Sequence, residues 1–369
     1  MKEYDLVIIG AGPAGLAAAN EVAGNGGQVL IIDENDRPGG QLFKQIHKFF
    51  GSYEHGAGVR GFRLAHQFVE RAQENRVTFM LGAKAWGAFT AGRITVTQNE
   101  QTHVVRGKCI LLATGANENA FAFENWNLTG VMTAGAMQTF ANIHGVLPAK
   151  RVLMLGSGNV GLIVSYQLMQ AGAQIVGIVE AAPKIGGYFV HAAKLRRFGV
   201  PFYMQHTIIR AEGEGDRVQR VVIARVDDHF QPIPGTEEVV ETDAVCLATG
   251  MTPSVEFARS LGCKTTFSRG LGGIIPMHDR YMRTSDPNVY IAGDVSGIEE
   301  ASTAIEEGRI AGYAISGALG LLSAEDMERC VDEGWGRLNN IRAGYHGMRI
   351  KTAKADLMKL MDEEVRCHG

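Results

Sequence analysis

Residues 5–34, DLVIIGAGPAGLAAANEVAGNGGQVLIIDE, constrain this chain more than any other stretch, because they read as strand, glycine turn, helix and strand. Residues 5–9 form a short β-rich run, and Gly10, Gly12 and Gly15 occupy the three positions of G-x-G-x-x-G ahead of a helix over 16–23. Gly10 permits the tight turn and Gly12 lets backbone approach a pyrophosphate. Gly15 lets helix and strand pack closely, so the helix N-terminus, with Pro13 and Ala14 in the turn, meets the phosphates. After the second strand, 29–32, Asp33 stands where a carboxylate accepts a hydrogen bond from an adenosine ribose, with Glu34 as its neighbour and substitute. Strand, turn, helix and carboxylate together describe an ADP-recognition unit.

The device recurs. Residues 151–155 read as a strand, and Gly156, Gly158 and Gly161, with Asn159 and Val160 between them, repeat the glycine spacing. A helix over 162–171 and a strand over 175–179 follow, ending at Glu180. Each copy also closes with an apolar run that ends in Ala-Thr-Gly: Ala113, Thr114 and Gly115 in the first, Ala248, Thr249 and Gly250 in the second. This internal duplication predicts an α/β fold of two Rossmann-like dinucleotide-binding domains, the second inserted in the first, plus a short helical C-terminal tail. The expected boundaries are 1–117 with 250–322 for the first domain, 118–249 for the second and 323–369 for the tail. Runs at 77–79, 86–89, 94–97, 103–105 and 109–113 read as separate strands, and 218–227 and 238–242 suggest a hairpin layer. A last buried strand, 289–292, leads into Gly293 and Asp294. The helix expected from Ala301 to about 319 carries Ala304, Gly308, Ala311 and Gly312 on one face, small enough for close packing.

Composition narrows the function classes. A net charge of -3 over 369 residues gives no basis for a nucleic-acid partner or an anionic membrane surface. The first strand begins at once, and the apolar stretch 310–322 is too short to span a bilayer, so a cytoplasmic location is expected. The five cysteines, Cys109, Cys246, Cys263, Cys330 and Cys367, are scattered without C-x-x-C or C-x-C spacing, so neither a disulfide framework nor a metal site is expected. Cys109 and Cys246 lie in apolar runs and read as core. Cys367, next to His368, reads as a free terminal thiol sooner than as a ligand shared with a partner.

The ordered set of Gly10 to Gly15, Asp33, Ala113-Thr114-Gly115, Gly156 to Gly161, Ala248-Thr249-Gly250 and Ile291-Ala292-Gly293-Asp294 resembles the flavoproteins with two dinucleotide-binding domains, thioredoxin and glutathione reductases among them. The resemblance covers roughly residues 4–320. It implies FAD in the first domain, with Asp294 on the ribityl chain and the helix at Ala301 aimed at the pyrimidine edge of the flavin. It also implies a redox-active cysteine pair that this chain lacks. A closer likeness lies in Arg37-Pro38-Gly39-Gly40-Gln41, in 126–138 (WNLTGVMTAGAMQ) and in 145–148 (GVLP). These are similar to FAD-binding α subunits of multi-subunit amine and imino-acid dehydrogenases such as opine oxidase, hydroxyproline dehydrogenase, hydrogen cyanide synthase and sarcosine oxidase. That likeness implies a partner β subunit that oxidises the amine at its own FAD. Many members add a cysteine-rich [2Fe-2S] module, whereas the segment 323–369 holds only Cys330 and Cys367, so such a centre would sit on a separate small subunit.

Around these motifs, Glu180 favours a free ribose 2′-hydroxyl, and Ala181-Ala182-Pro183 offers no arginine for a 2′-phosphate, so NAD is expected over NADP in the second domain. A non-redox adenine nucleotide, or lost binding, is the competing reading. Gln41 is a candidate to tune the flavin, while Lys44, His47 and Lys48 read as surface or interface. His191, Lys194, Arg196 and Arg197 read as a solvated helical face. No Ser/His/Asp set or carboxylate pair suggests hydrolysis, and no general acid or base is assigned. Three functions follow: an FAD subunit of a hetero-oligomeric amine or amino-acid dehydrogenase, exchanging electrons with NAD through flavin N5; a self-contained NADH-dependent flavin reductase; or a subunit whose nucleotides brace an assembly. The tail, with Trp335, Tyr345 and a basic run over 349–359, reads equally as a docking element and as part of its own domain.

Overall fold

The computed structural model describes residues 2–49, 52–89 and 92–368, the side chains of 345, 346 and 364–368 lying outside the description. Two compact units result, the first made of Met1–Asn117 with Thr252–Gly369 and the second of Glu118–Met251.

The first unit starts with β1 (Lys2–Ile9), exposed at its first two residues and buried from Leu6 onward. It continues through α1 (Pro13–Gly24), β2 (Val29–Ile32), α2 (Gly61–Glu74), β3 (Thr78–Met80), β4 (Ala83–Phe89), β5 (Arg93–Gln98) and β6 (Gln101–Leu112), and leaves by β7 (Ala116–Glu118). The apolar runs of β1 and β2 suit a sheet covered on both faces, and these strands pair in parallel, Leu6 opposite Val29 and Ile9 opposite Ile32. The sequence suggests two strands at 103–105 and 109–113. The structure instead makes one strand of 12 residues, because the Gly107 N–H donates to the Gly92 carbonyl at 3.0 Å and carries the ladder through. Its residues 101–106 pair antiparallel with β5 and its residues 105–112 pair parallel with β1.

The second unit holds β8 (Val131–Thr133), α3 (Ala134–Asn142), β9 (Arg151–Leu155), α4 (Asn159–Gln170), β10 (Gln174–Glu180), α5 (Phe189–Arg197), β11 (Phe202–Met204), β12 (His206–Glu212), β13 (Arg220–Arg225), β14 (Glu238–Glu241) and β15 (Ala244–Leu247). Its parallel sheet runs β11-β10-β9-β15-β8, and β12-β13-β14 form a separate antiparallel layer. Residues 126–144 supply the edge strand β8 and α3, which Thr133 caps by accepting from the Ala136 N–H at 3.4 Å.

The chain returns through β16 (Met251–Pro253), α6 (Glu256–Ser260), β17 (Thr265–Ser268), β18 (Gly273–Pro276), β19 (Val289–Ile291), α7 (Ala301–Ala318), α8 (Ala324–Ile341) and α9 (Tyr345–His368). Strand β19 adds to β6 in parallel, completing the order β3-β2-β1-β6-β19. Helix α7 lies against α1 at backbone distance: a Cβ at Gly308 would fall 2.2 Å from the Ala14 carbonyl oxygen. Helices α8 and α9 bury Val331, Leu338, Leu357 and Met361, so residues 323–369 pack into the first unit. Among the described residues no helix is long and apolar enough to cross a membrane.

Candidate functional site

The two glycine turns share the same backbone bonds. Gly10 (φ +107°) and Gly156 (φ +105°) adopt a backbone conformation that favours glycine, and a Cβ on either would strike the carbonyl oxygen of Ala113 or Ala248 at 2.2 and 2.3 Å. At Gly12 and Gly158 an added Cβ would meet nothing within 4 Å, which is room for a ligand. These two residues precede α1 and α4, and no side chain caps either helix, so the first-turn N–H groups point to a ligand's phosphates. Asp33 accepts from the Ala11 N–H at 2.6 Å through Oδ2 and from Asn35 N and Nδ2 at 2.8 and 2.7 Å through Oδ1. Glu180 accepts from Ser157 N and Oγ at 2.9 and 2.5 Å through Oε2 and from Ala182 N at 2.9 Å through Oε1. Each carboxylate keeps acceptor capacity on its less-used oxygen for a ribose hydroxyl. Glu34 beside Asp33 is exposed.

The closing motifs match as well. Thr114 Oγ1 donates to the Ser254 carbonyl at 2.8 Å, and Thr249 Oγ1 to the Asn119 carbonyl at 2.9 Å, so each Ala-Thr-Gly pins the crossing chain of its own unit. A second glycine pair then covers each turn. In the first unit the Gly39 N–H donates to the Ala11 carbonyl at 2.8 Å, and a Cβ on Gly40 would sit 2.8 Å from Gly12 Cα. In the second the Gly187 N–H donates to the Ser157 carbonyl at 2.8 Å, and Asn159 Oδ1 accepts from the Tyr188 N–H at 2.8 Å. Sequence reasoning missed Gly186-Gly187 as the counterpart of Gly39-Gly40. The signal was present, since the two pairs follow Asp33 and Glu180 at the same spacing.

Only the first unit has Asp294. This residue follows β19 and Gly293, and among the described residues its carboxylate accepts one long hydrogen bond, from the Glu299 N–H at 3.3 Å. Burial, with the Glu307 and Glu299 carboxylates nearby, pushes its pKa up to about 6 despite that N–H and Lys354. A half-buried acceptor so poorly served fits a ligand hydroxyl, as a ribityl chain would offer. Seven residues further on, α7 begins at Ala301 with no capping side chain and no acid in its first turn.

Behind this turn lie side chains that sequence reasoning did not assign. Glu307 on α7 accepts from Gly293 N (3.1 Å) through Oε2, which also lies 2.6 Å from Ser296 Oγ. Through Oε1 it accepts from Lys354 Nζ (2.6 Å) and Arg342 (2.8 Å). Burial alone would raise its pKa, but Lys354 and Arg342 hold it down at about 2. Its neighbour Glu306 lies 2.9 Å from His55 Nε2 and accepts from Arg309 (2.5 Å) and Arg337 (2.9 Å). Against burial, these partners also hold it near 2.

The remaining candidates are less engaged. Gln41 and Lys48 are exposed, and Lys44 and His47 are half-buried, with the His47 ring stacked 5.9 Å from Phe49. Val160 is exposed. Of the expected solvated face on α5, Lys194, Arg196 and Arg197 are exposed, but His191 is buried, which with Lys194 lowers its pKa. Cys109, Cys246 and Cys263 are free and buried, and burial pushes Cys109 up to about 11. The side chains of Cys367 and Tyr345 lie outside the described residues. Among the described residues no His, Cys, Asp and Glu cluster could hold a metal.

Two dinucleotide turns on one chain, one of them extended by Asp294 and α7, define an FAD-dependent oxidoreductase of the two-dinucleotide-domain kind. The model of the pyridine nucleotide-disulphide oxidoreductases matches residues 4–308, and the chain belongs to that family. It is 28% identical over 341 residues to an opine oxidase subunit of Rhizobium meliloti (strain 1021), covering 87% of this chain and 72% of that one. It is 27% identical over 336 residues to the hydrogen cyanide synthase subunit HcnB of Pseudomonas aeruginosa, covering 84% and 70%. The fold matches the crystal structure of T. acidophilum thioredoxin reductase with a TM-score of 0.72 at 24% identity, over 86% of this chain and 99% of that one.

Proposed function

We propose that this chain is the FAD-carrying subunit of a hetero-oligomeric amine or amino-acid dehydrogenase, coupling oxidation of the amine on a partner chain to NAD held by its second unit. The relatives' names as subunits of an opine oxidase and a hydrogen cyanide synthase support assembly with further subunits; this reading assigns oxidation of the amine to one of them and any [2Fe-2S] centre to a further small subunit. When bound, FAD supplies a two-electron carrier whose reactive atom is N5. In this reading Gly10, Gly12, Ala14 and Gly15 receive its diphosphate, Asp33 its ribose, and Gly40 closes over the turn. Asp294 takes a ribityl hydroxyl, and the positive N-terminus of α7 at Ala301 favours the anionic reduced ring. Gly156, Gly158, Gly161 and Glu180 do the same for the adenosine half of NAD, and Ala181-Ala182-Pro183 supplies no arginine for a 2′-phosphate.

Asp294 carries the reading. A half-buried carboxylate with one 3.3 Å partner is poorly satisfied unless a ligand donor completes it, and the second unit has no such residue after its edge strand. The test is anaerobic titration of the purified yellow chain with NADH, then NADPH, following the flavin absorption band. Rapid bleaching by NADH, with NADPH at least about tenfold less effective, is the expected result, since a missing phosphate partner is worth more than ~1.4 kcal/mol. A flavin that stays oxidised with both would overturn the NAD assignment and leave a subunit whose second nucleotide takes no part in electron transfer.

A further inference from the structure

We propose that Arg342, which ends α8, and Lys354 in α9 are positioning residues for the flavin site, acting through Glu307 and Glu299 on the segment that carries Asp294. The family match ends at residue 308, so both cations lie outside the part of the chain that the family defines. They are nonetheless among its most buried charges: Lys354 is 1% exposed and Arg342 is 2% exposed.

Two routes lead from them to Asp294. In the first, Glu307 bridges. Its Oε1 faces the C-terminal helices and takes Lys354 Nζ and Arg342, while its Oε2 faces the other way and holds the Gly293 N–H and Ser296 Oγ. Lys354 Nζ also reaches Ser296 Oγ directly at 2.6 Å, so the residues on either side of the Asp294 turn are fixed from one ammonium group. In the second route Arg342 grips Glu299 with two bonds, 2.9 Å from Nε and 2.5 Å from NH2, and the Glu299 N–H is the one that Asp294 accepts. The cations thus balance the two glutamates and leave Asp294 as the carboxylate without a cation of its own. Only Asp294 then remains for a ligand to satisfy. His278 adds no charge at neutral pH, since burial, with Lys354 nearby, holds its pKa at about 4.

The inference rests on the reading that FAD occupies the first unit, and its test separates the two. Full-length apoprotein is titrated with FAD by quenching of flavin fluorescence, and thermal unfolding of each protein is recorded alongside. Lys354→Met is expected to weaken FAD binding by about tenfold or more, because Glu307 loses a buried partner and the Gly293–Ser296 turn loosens. Adding Glu307→Gln to that variant is expected to recover most of the loss, since the amide oxygen still accepts from Gly293 and no uncompensated charge remains. A role confined to stability would lower the melting temperature but leave the FAD affinity of the folded chain unchanged. If Lys354→Met fails to fold, Ser296→Ala removes the link without stranding a charge, and a loss of about fivefold is expected. FAD affinity at the wild-type level in Ser296→Ala, or in a folded Lys354→Met, would overturn the proposal. A wild-type chain that takes up no FAD would overturn the underlying reading first, before any variant is made.

Discussion

In the first unit the strand beside β6 is β19, which arrives late in the chain and leads through Gly293 and Asp294 into α7; in the second unit the strand beside β15 is β8, which arrives first and leads into α3. The N-terminus of α3 is filled from within: Thr133 caps it, and Glu118 Oε1 accepts from the Gly135 N–H at 2.7 Å. The N-terminus of α7 has no capping side chain. The turns, the strand-end carboxylates and the glycine covers match between units. The difference teaches that the ADP half of a dinucleotide is a shared problem with one backbone solution, whereas the other half is handled by whatever follows the fifth strand. The first unit carries two adjacent glutamates on the buried helix α7: Glu307 takes its cations from Arg342 at the end of α8 and Lys354 in α9, and Glu306 takes Arg337 of α8 beside Arg309 of α7 itself.

The harshest way to break the comparison is to delete residues 323–369. That removes Arg337, Arg342 and Lys354 and leaves Glu306 and Glu307, 0% and 2% exposed, in place. Glu306 keeps His55 and Arg309, but Glu307 is left with no cation. Stranding one buried charge costs ~3–5 kcal/mol, a large part of the roughly 5–15 kcal/mol that holds a domain folded, and the buried contacts of Val331 and Leu338 are lost with it. The truncated chain is expected to lose its folded first unit and its FAD while the second unit keeps hydrogen-exchange protection. A soluble truncated chain that binds FAD normally would show that α8 and α9 are appendages.

Little of this was legible beforehand. The glycine turns are written plainly, because only glycine permits Gly10 its φ of +107° and its approach to Ala113, and that need is local. The parallel strands follow from uninterrupted apolar runs. Arg342 and Lys354 sit instead among Arg337, Arg349, Lys351 and Lys359, and nothing in a basic amphipathic segment marks which cation turns inward. The available clue was Glu306-Glu307 inside a helix whose other residues, Ala304, Gly308, Ala311 and Gly312, announce tight packing. A carboxylate in such a helix has to find a buried cation, but the sequence does not say from where.

Acid offers a milder asymmetry. Glu306 and Glu307 are held at about 2 in the fold against an ordinary 4.5, so the stability they contribute is full above pH 4.5 and drains away as pH falls towards 2. For Glu307 alone this is on the order of 3 kcal/mol. His278, at about 4 against 6.5, loses stability over pH 6.5 to 4, whereas Asp294, raised to about 6 from 3.8, gains over nearly the same window. Those two oppose each other, so in the flavin-free chain the first unit should hold to about pH 4.5 and then fail. In the second unit the lowered carboxylates Glu212, Asp227 and Asp243 are solvated and shift stability little. Limited proteolysis with mass mapping from pH 6 to 3 is expected to cut the first unit first. Simultaneous cutting, or the second unit first, would mean that the buried pairs contribute less than their geometry implies.

The smallest expected effect tests the likeness of the two turns. Ser157 stands in the second turn where Ala11 stands in the first, and it is completely buried. Its hydroxyl donates to Glu180 Oε2 at 2.5 Å and accepts from the Gly186 N–H at 3.0 Å, two bonds that Ala11 lacks. Ser157→Ala would therefore convert the second turn to the pattern of the first. Glu180 would keep the Ser157-position N–H and the Ala182 N–H, as Asp33 keeps Ala11 and Asn35. The hydroxyl's bonds to Glu180 and to the Gly186 N–H would be lost, while the Gly187 N–H keeps its bond to the carbonyl at position 157. A hydrogen bond to a charged group is worth ~1.5–3 kcal/mol, and part of it is recovered by the remaining donors, so NADH affinity should fall about three- to tenfold with FAD content unchanged. Loss of FAD in this variant would mean that the units depend on one another. An unchanged NADH affinity would mean that the turn and its carboxylate suffice, and that the serine only fills space that the first unit fills with a methyl group.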